Sequence, residues 1–117
     1  MQFVTGFLGA IGSDPDSILF MKNTADRLLG AENYKFSTIG VGYPAEFNAD
    51  VLSMMIGGNV RVGLEDNLFI SKGVQAKGSY ELVQKMVRLA KEMGKEIATP
   101  DEARQILGLK GLDKVGY

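Results

Sequence analysis

The chain has 117 residues, of which 45% are hydrophobic and 23% charged, as expected for one small globular domain. Its 13 basic and 14 acidic residues nearly cancel, which argues against a nucleic-acid or anionic-membrane surface as the main function. It has no cysteine and no histidine, so disulfides, thiolate chemistry and a Ser-His-Asp triad are excluded. A metal site that uses imidazole ligands cannot be completed by this chain alone.

The first residues, MQFVTGFLGAIG, lack the basic start and the layout of a signal peptide. No apolar run approaches the roughly 20 residues that span a bilayer. We therefore expect a cytoplasmic protein with neither a membrane nor a nucleic acid as its partner.

The first predicted unit is a short strand followed by a capped helix. Residues 2–8, QFVTGFL, are mostly apolar and indicate a strand. Asp14 is suited to the N-cap, Pro15 to the first helical position and Gly30 to the stop, so a helix is predicted over residues 15–29. Its apolar side chains at helical spacing are Ile18, Met21, Ala25 and Leu28.

A second unit repeats this order. Residues 34–41, YKFSTIGV, predict a strand that ends at glycines and Pro44. A helix is predicted over residues 44–56, and Gly57-Gly58 stops it. The side chains expected to face the core are Phe47, Val51, Met54 and Met55.

The third predicted strand, residues 59–66, has one aliphatic and one charged face. Because side chains alternate along a strand, Val60, Val62 and Leu64 share a face, and Arg61 and Glu65 share the opposite one. Such a strand is either a half-exposed antiparallel strand or a barrel strand whose inner face reaches an active site.

The remaining segments are a loop, two helices and a tail. The predicted loop, residues 67–78, contains Ser71-Lys72-Gly73, and a long helix follows over residues 80–93. Its apolar stripe consists of Leu82, Val83, Met86, Leu89, Ala90 and Met93. Thr99-Pro-Asp-Glu is a capping box that opens a short helix through Leu107. Residues 109–117 are expected to form a frayed or partner-dependent tail.

The order β-α-β-α-β-α-α predicts an α/β fold with a parallel sheet and right-handed crossovers, in one domain over residues 1–117 without a linker. The charged strand face fits three consecutive units of a (β/α)8 barrel better than an open doubly wound sheet, whose middle strand is apolar on both faces. Three units are an incomplete barrel with two open edges. We therefore expect self-association or assembly with a complementary barrel piece.

The stretch GGNVRVGLEDN makes the chain resemble a known family. With the following LFISKG, the segment ELVQKMVRLAKEMGKEIATPDEAR and the final ILGL, it is similar to the C-terminal part of the β-keto acid cleavage enzymes. The 3-keto-5-aminohexanoate cleavage enzyme of lysine fermentation is the namesake of that family. The resemblance implies that the chain corresponds to strands six to eight of a TIM barrel, with an additional C-terminal helix.

The resemblance also implies a chemistry. Family members bind a divalent metal, usually zinc, and cleave a β-keto acid with acetyl-CoA to give acetoacetate and a new acyl-CoA. Glu65 matches the metal-binding glutamate, Asp66 a catalytic acid/base, and Arg61 an arginine that binds or activates the substrate. The family's His-x-His metal ligands lie in a region that this chain lacks.

Each of these residues also has a simpler interpretation. Arg61 and Glu65 could form a plain ion pair, and Asp66 could cap the following loop. Lys72 follows the last strand, where barrels often bind phosphate, and could touch the coenzyme's phosphates or lie in a surface turn. Three hypotheses stay open: an enzyme, a non-catalytic partial barrel that associates through its edges, and an independent three-stranded binding domain.

Overall fold

A computed structural model describes residues 1–111 and 114–116, which contain a parallel sheet flanked by helices. The sheet strands are β1 (Gln2–Thr5), β2 (Ser37–Gly40) and β3 (Asn59–Val60), and a separate hairpin is formed by β4 (Phe69–Ser71) and β5 (Val74–Gln75). The helices are α1 (Pro15–Leu29), α2 (Ala45–Met55), α3 (Ser79–Glu92) and α4 (Pro100–Leu107), with a short 3-10 turn at Ala31–Asn33. The predicted tail over residues 109–117 falls partly outside the described residues. In the described part of the chain, no helix has the length and apolar character to cross a membrane.

The sheet confirms the predicted parallel arrangement, with strand order β1-β2-β3. Its register pairs Gln2 with Ser37 between β1 and β2, and Ser37 with Asn59 between β2 and β3. The central strand is therefore β2, and among the described residues β1 and β3 each leave one edge without a neighbouring strand.

Two helices begin and end where their capping residues predict. The Asp14 carboxylate accepts the Ser17 N–H at 2.9 Å, and α1 ends at Leu29. The Thr99 and Glu102 side chains form the reciprocal capping box of α4, and Gly108 closes that helix in the left-handed conformation. These local hydrogen bonds satisfy backbone groups that a helix end leaves free.

Two apolar clusters form the core between the sheet and its helices. The larger joins α2 to α3, and its buried members are Phe47, Met54, Leu82, Met86 and Ala90. The smaller joins the sheet to α1 through Phe3, Ala25 and Phe36. Close approach explains Gly40 at the end of β2, because a Cβ there would lie 2.5 Å from the Ala45 carbonyl oxygen. The start of α2 is thereby fixed directly against β2.

Some predicted core positions are wrong, for a geometric reason. Leu28 is 67% exposed and Met55 is 66% exposed. At about 100° per residue, Leu28 lies about 80° around the helix from Ile18, and Met55 about 100° from the buried Met54. Val83 on α3 is likewise exposed, beside the buried Leu82. The buried stripe of each helix is narrower than its apolar composition suggests.

The third strand is shorter than the predicted range 59–66, because β3 pairs with β2 only over Asn59–Val60. Beyond Val60 the chain continues beside α2 and turns at Gly63, whose carbonyl accepts the N–H groups of Asp66 and Asn67. The predicted aliphatic face is nevertheless confirmed, since Val60, Val62 and Leu64 all pack against the larger core cluster. The β4–β5 hairpin is a further difference, because the sequence predicts only a loop there.

Candidate functional site

Arg61, Glu65 and Asp66 lie together where the chain leaves β3. Nη2 of Arg61 lies 2.9 Å from Oε2 of Glu65 and 3.3 Å from Oδ2 of Asp66. Nη1 of the same guanidinium donates to the Gln2 side-chain oxygen on β1 at 3.0 Å. The three residues are thus one charged cluster, with two carboxylates around a single cation.

The two carboxylates have different surroundings although they are adjacent in sequence. The Glu65 side chain is 81% exposed, whereas that of Asp66 is 11% exposed. The Asp66 carbonyl also accepts the Gly42 N–H at 2.8 Å, which ties it to the loop after β2. Glu65 can therefore turn toward a ligand with little rearrangement, while Asp66 is held in place.

A cleft of about 460 Å³ opens beside the two carboxylates. Its walls include Glu65 and Asp66 on one side, Tyr43 after β2, and Phe69 and Gly73 from the β4–β5 hairpin. Lys72 is exposed at the tip of that hairpin, next to Gly73, so it lies at the edge of the cleft and does not line it. The charged cluster and the hairpin tip face a common space.

Glu65 is the residue of the charged cluster that is best suited to bind a metal ion. An exposed carboxylate such as that of Glu65 is a suitable zinc ligand, and a structural or catalytic zinc site has three or four protein ligands. In residues 1–111 and 114–116, no group of three His, Cys, Asp or Glu side chains is placed to hold a metal ion. Glu65 can therefore be one ligand of such a site only if the other ligands come from elsewhere.

The structure adds buried polar residues that the sequence analysis missed. Glu46 and Asp50 on α2 are both fully buried, and Asn67 is 3% exposed. Glu46 accepts the Gly63 N–H at 3.0 Å through Oε1 and the Asn67 side-chain amide at 2.9 Å through Oε2. Asp50 accepts the Arg61 N–H at 3.4 Å. One feature of the sequence could have identified the two acids, because they are four residues apart and lie beside the apolar stripe of α2.

Burial makes both acids harder to ionise. It raises the pKa of Glu46, against the lowering effect of the hydrogen bonds from Asn67 and Gly63. It raises the pKa of Asp50 to about 8, and the nearby charges of Glu46 and Asp66 act in the same direction. The segment that carries the charged cluster therefore rests on two carboxyl groups that resist becoming charged.

Lys85 fixes the hairpin from the side of α3. Its Nζ donates to the Ile70 carbonyl at 2.6 Å and lies 3.7 Å from the centre of the Phe47 ring. Burial lowers the pKa of Lys85. The contact with Ile70 anchors β4 and so sets the position of the hairpin beside the cleft.

Comparison with known proteins identifies the family. A family model described as beta-keto acid cleavage enzyme matches residues 1–109. A 3-keto-5-aminohexanoate cleavage enzyme of Fusobacterium nucleatum is 56% identical over 79 residues, which are 68% of this chain and 29% of that protein. A protein of the same name from Acetoanaerobium sticklandii is 42% identical over 108 residues, 92% of this chain and 37% of that protein.

A third relative extends the match over the whole chain. The 3,5-dioxohexanoate:acetyl-CoA acetone transferase of Paraburkholderia graminis is 40% identical over 117 residues, 100% of this chain and 37% of that protein. The chain thus spans only about a third of the length of these curated relatives. With a family model matching residues 1–109, this chain belongs to the β-keto acid cleavage enzyme family.

Proposed function

We propose that this chain supplies one part of the active site of a metal-dependent β-keto acid cleavage enzyme. The reaction would convert a β-keto acid and acetyl-CoA into acetoacetate and a new acyl-CoA, in the cytoplasm. The observation that carries the proposal is the convergence of Arg61, Glu65 and Asp66 beside one cleft, in a chain that belongs to this family. The name of the Paraburkholderia graminis relative supports the use of acetyl-CoA.

The fold supports a place for the chain as strands six to eight of a (β/α)8 barrel. Three parallel strands are each followed by a helix, and α2 and α1 pack against the same face of the sheet as Phe3 and Phe36. The other face carries Gln2 and Arg61, which contact each other at 3.0 Å. In a barrel segment, helices cover the outer face of the sheet and the uncovered face lines the interior.

We assign Glu65 as a metal ligand. Its carboxylate is exposed, and a bound zinc or another divalent cation would supply Lewis-acid stabilisation of enolate charge. The remaining ligands would come from outside the described residues. Arg61 contacts one oxygen of Glu65, which leaves the other oxygen available to the metal.

We assign Asp66 as the acid/base and Arg61 as the residue that binds the anionic end of the substrate. Asp66 is largely shielded and is fixed through its backbone, so its carboxylate can exchange a proton with a substrate in the cleft from a constant position. Arg61 already contacts Gln2, Glu65 and Asp66. Binding a substrate carboxylate would exchange the neutral Gln2 acceptor for a charged one, which forms stronger hydrogen bonds.

Lys72 is proposed to contact a phosphate group of the coenzyme. The residue is exposed at the hairpin tip beside the cleft, at the end of the sheet where barrel enzymes bind phosphate. Among the described residues, its ammonium group forms no ion pair with another side chain. It can therefore move toward a phosphate group.

A second candidate function is a non-catalytic partial barrel that self-associates or complements another chain. A groove of about 670 Å³ lies between the free side of β3 and helices α3 and α4. Its apolar walls include Val60, Val83, Val87, Ile97 and Ile106. An apolar groove beside an unpaired strand edge favours association with a further element.

The two functions are separated by a chimera in which residues 1–109 replace the matching segment of the Acetoanaerobium sticklandii relative. The host's own β-keto acid and acetyl-CoA serve as substrates. For the catalytic function we expect measurable turnover that falls by at least about 100-fold in Asp66→Asn, because the acid/base group is lost. The control Glu92→Gln, at an exposed position on α3, should retain turnover. A folded chimera without activity would favour the non-catalytic function.

A further inference from the structure

Two buried carboxyl groups that the proposed chemistry does not use contact the segment that carries it. Glu46 and Asp50 lie one turn apart on α2, so they share a face of the helix. Both are fully buried, and that face is directed at residues 61–67. Burying an acid is costly unless hydrogen bonds compensate, so the contacts of these two residues need an explanation.

Glu46 and Asp50 accept backbone hydrogen bonds that the carbonyl groups of a neighbouring strand would accept in a longer sheet. In the sheet, the Asn59 N–H donates to the Phe36 carbonyl at 2.8 Å. Along an extended strand, every second N–H points to the same side, so the next two belong to Arg61 and Gly63. These donate to Asp50 at 3.4 Å and to Glu46 at 3.0 Å. Helix α2 therefore supplies hydrogen-bond acceptors where β3 no longer pairs with β2.

Glu46 in addition spans the turn that follows. Its second oxygen accepts the Asn67 side-chain amide at 2.9 Å. Asn67 is itself bonded in both directions to Phe69, with its amide donating at 2.8 Å and its oxygen accepting at 2.9 Å. One carboxylate thus bridges Gly63 and Asn67, the two ends of the turn that contains Glu65 and Asp66.

We propose that Glu46 is a positioning residue, assisted by Asp50, which fixes the turn over residues 63–67 and so aims the Glu65 and Asp66 side chains. Its importance for catalysis rests on the function proposed above, whereas its control of the turn does not. Glutamine is a sharp probe because a carboxylate accepts at both oxygens and an amide at only one. In Glu46→Gln, either Gly63 or Asn67 must lose its acceptor.

The first experiment measures amide hydrogen exchange by NMR on the whole chain. In Glu46→Gln, we expect the amides of Gly63, Asp66 and Asn67 to exchange about tenfold faster, the effect of losing one hydrogen bond. The exchange rate of the Ala25 amide in α1 should not change. In the control Glu92→Gln, the exchange rates of all four amides should equal those of the original chain. Unchanged exchange at all three turn amides in Glu46→Gln would overturn the proposal.

A second variant keeps the test valid if Glu46→Gln unfolds the chain. Asn67→Ala removes the opposite partner of the same hydrogen bond and is measured in the same way. The proposal again requires faster exchange at Gly63 and Asp66. Protection equal to that of the original chain would contradict it.

The catalytic consequence is measured separately in the chimera. A misaimed Asp66 should lower kcat by about tenfold in Glu46→Gln while KM changes less than about twofold, because binding contacts are retained. An unchanged kcat in an active chimera would overturn the positioning role in catalysis. An inactive original chimera would contradict the proposed function alone, since the exchange experiment tests control of the turn independently.

Discussion

Nη2 of Arg61 contacts Oε2 of Glu65 at 2.9 Å, although the two residues are four positions apart in what would be a strand. In an extended chain their Cα atoms would be separated by roughly 13 Å. The contact forms because the chain turns at Gly63, which accepts the N–H groups of Asp66 and Asn67. The turn converts a linear sequence pattern into a compact charged cluster.

Replacement of Arg61 should reveal whether this cluster binds substrate. In the active chimera, we expect Arg61→Lys to lower kcat/KM by at least about tenfold, because lysine cannot reproduce the forked geometry of the guanidinium. Arg104→Lys, in the exposed ion pair with Asp101 on α4, is the matched control and should have no effect. Equal kinetics for Arg61→Lys and the original chimera would leave Arg61 and Glu65 as a plain ion pair.

Asp50 should make stability depend on pH. Its pKa rises from 3.8 to about 8 on folding, so between these values the folded chain binds a proton that the unfolded chain releases. Stability should therefore decrease as pH rises through this window. The amide introduced in Asp50→Asn cannot ionise, so this variant does not lose stability in that way. The free energy of unfolding of Asp50→Asn minus that of the original chain should therefore increase by at least about 1 kcal/mol between pH 5 and pH 8.

Urea unfolding at several pH values measures this difference. The exposed Asp16→Asn is the control and should follow the original chain in this window. The Oδ2 atom of Asp50 is buried and has no hydrogen-bond partner among the described residues, which disfavours the ionised form of the acid. A constant difference between Asp50→Asn and the original chain from pH 5 to pH 8 would show that Asp50 ionises normally.

Lys72 should affect the binding of the coenzyme and not the binding of the keto acid. In the chimera, we expect Lys72→Ala to raise KM for acetyl-CoA about three- to tenfold with kcat nearly constant, as for loss of one exposed phosphate contact. Lys91→Ala, at an exposed position on α3, is the matched control. If KM for acetyl-CoA is the same in both variants, Lys72 belongs to a surface turn only.

Gly40 should be a sensitive position for folding. A Cβ at this residue would lie 2.5 Å from the Ala45 carbonyl oxygen and 3.1 Å from the Ala49 Cβ. Gly40→Ala should therefore destabilise the chain by about 1–3 kcal/mol, the usual effect of overpacking. Chemical denaturation measures the change, and Gly116→Ala, whose added Cβ would have no atom of the described residues within 4 Å, should be neutral. Equal stability of the two variants would show that α2 shifts freely from β2.

Local sequence signals predict those elements whose ends are fixed by local hydrogen bonds. Asp14 and Thr99 accept N–H groups three residues away, so the starts of α1 and α4 follow from short sequence patterns. The parallel sheet follows from the alternation of strands and helices. The Lys72-Gly73 turn was a usable sign of the hairpin, because Gly73 has a φ of 75° that glycine adopts readily.

Other features depend on contacts between distant segments. The end of β3 is set by Glu46 and Asp50, which are 17 and 11 positions from the groups they accept. No strand propensity reports on acceptors supplied by a helix. The same holds for the position of Asp66, whose carbonyl accepts the N–H of Gly42 from a distant loop. The sequence could therefore nominate the charged residues but not the turn that gathers them.

Zinc binding measured by calorimetry tests the central claim most directly, which is that Glu65 is one ligand of a site shared with the rest of a barrel. For the chain alone we predict binding weaker than about 0.1 mM, because it lacks the imidazole ligands of a complete site. For the chimera we predict one zinc per chain, with affinity about 100-fold lower in Glu65→Gln and unchanged in Glu92→Gln. Full zinc affinity in the Glu65→Gln chimera would contradict the account, as would micromolar binding by the chain alone.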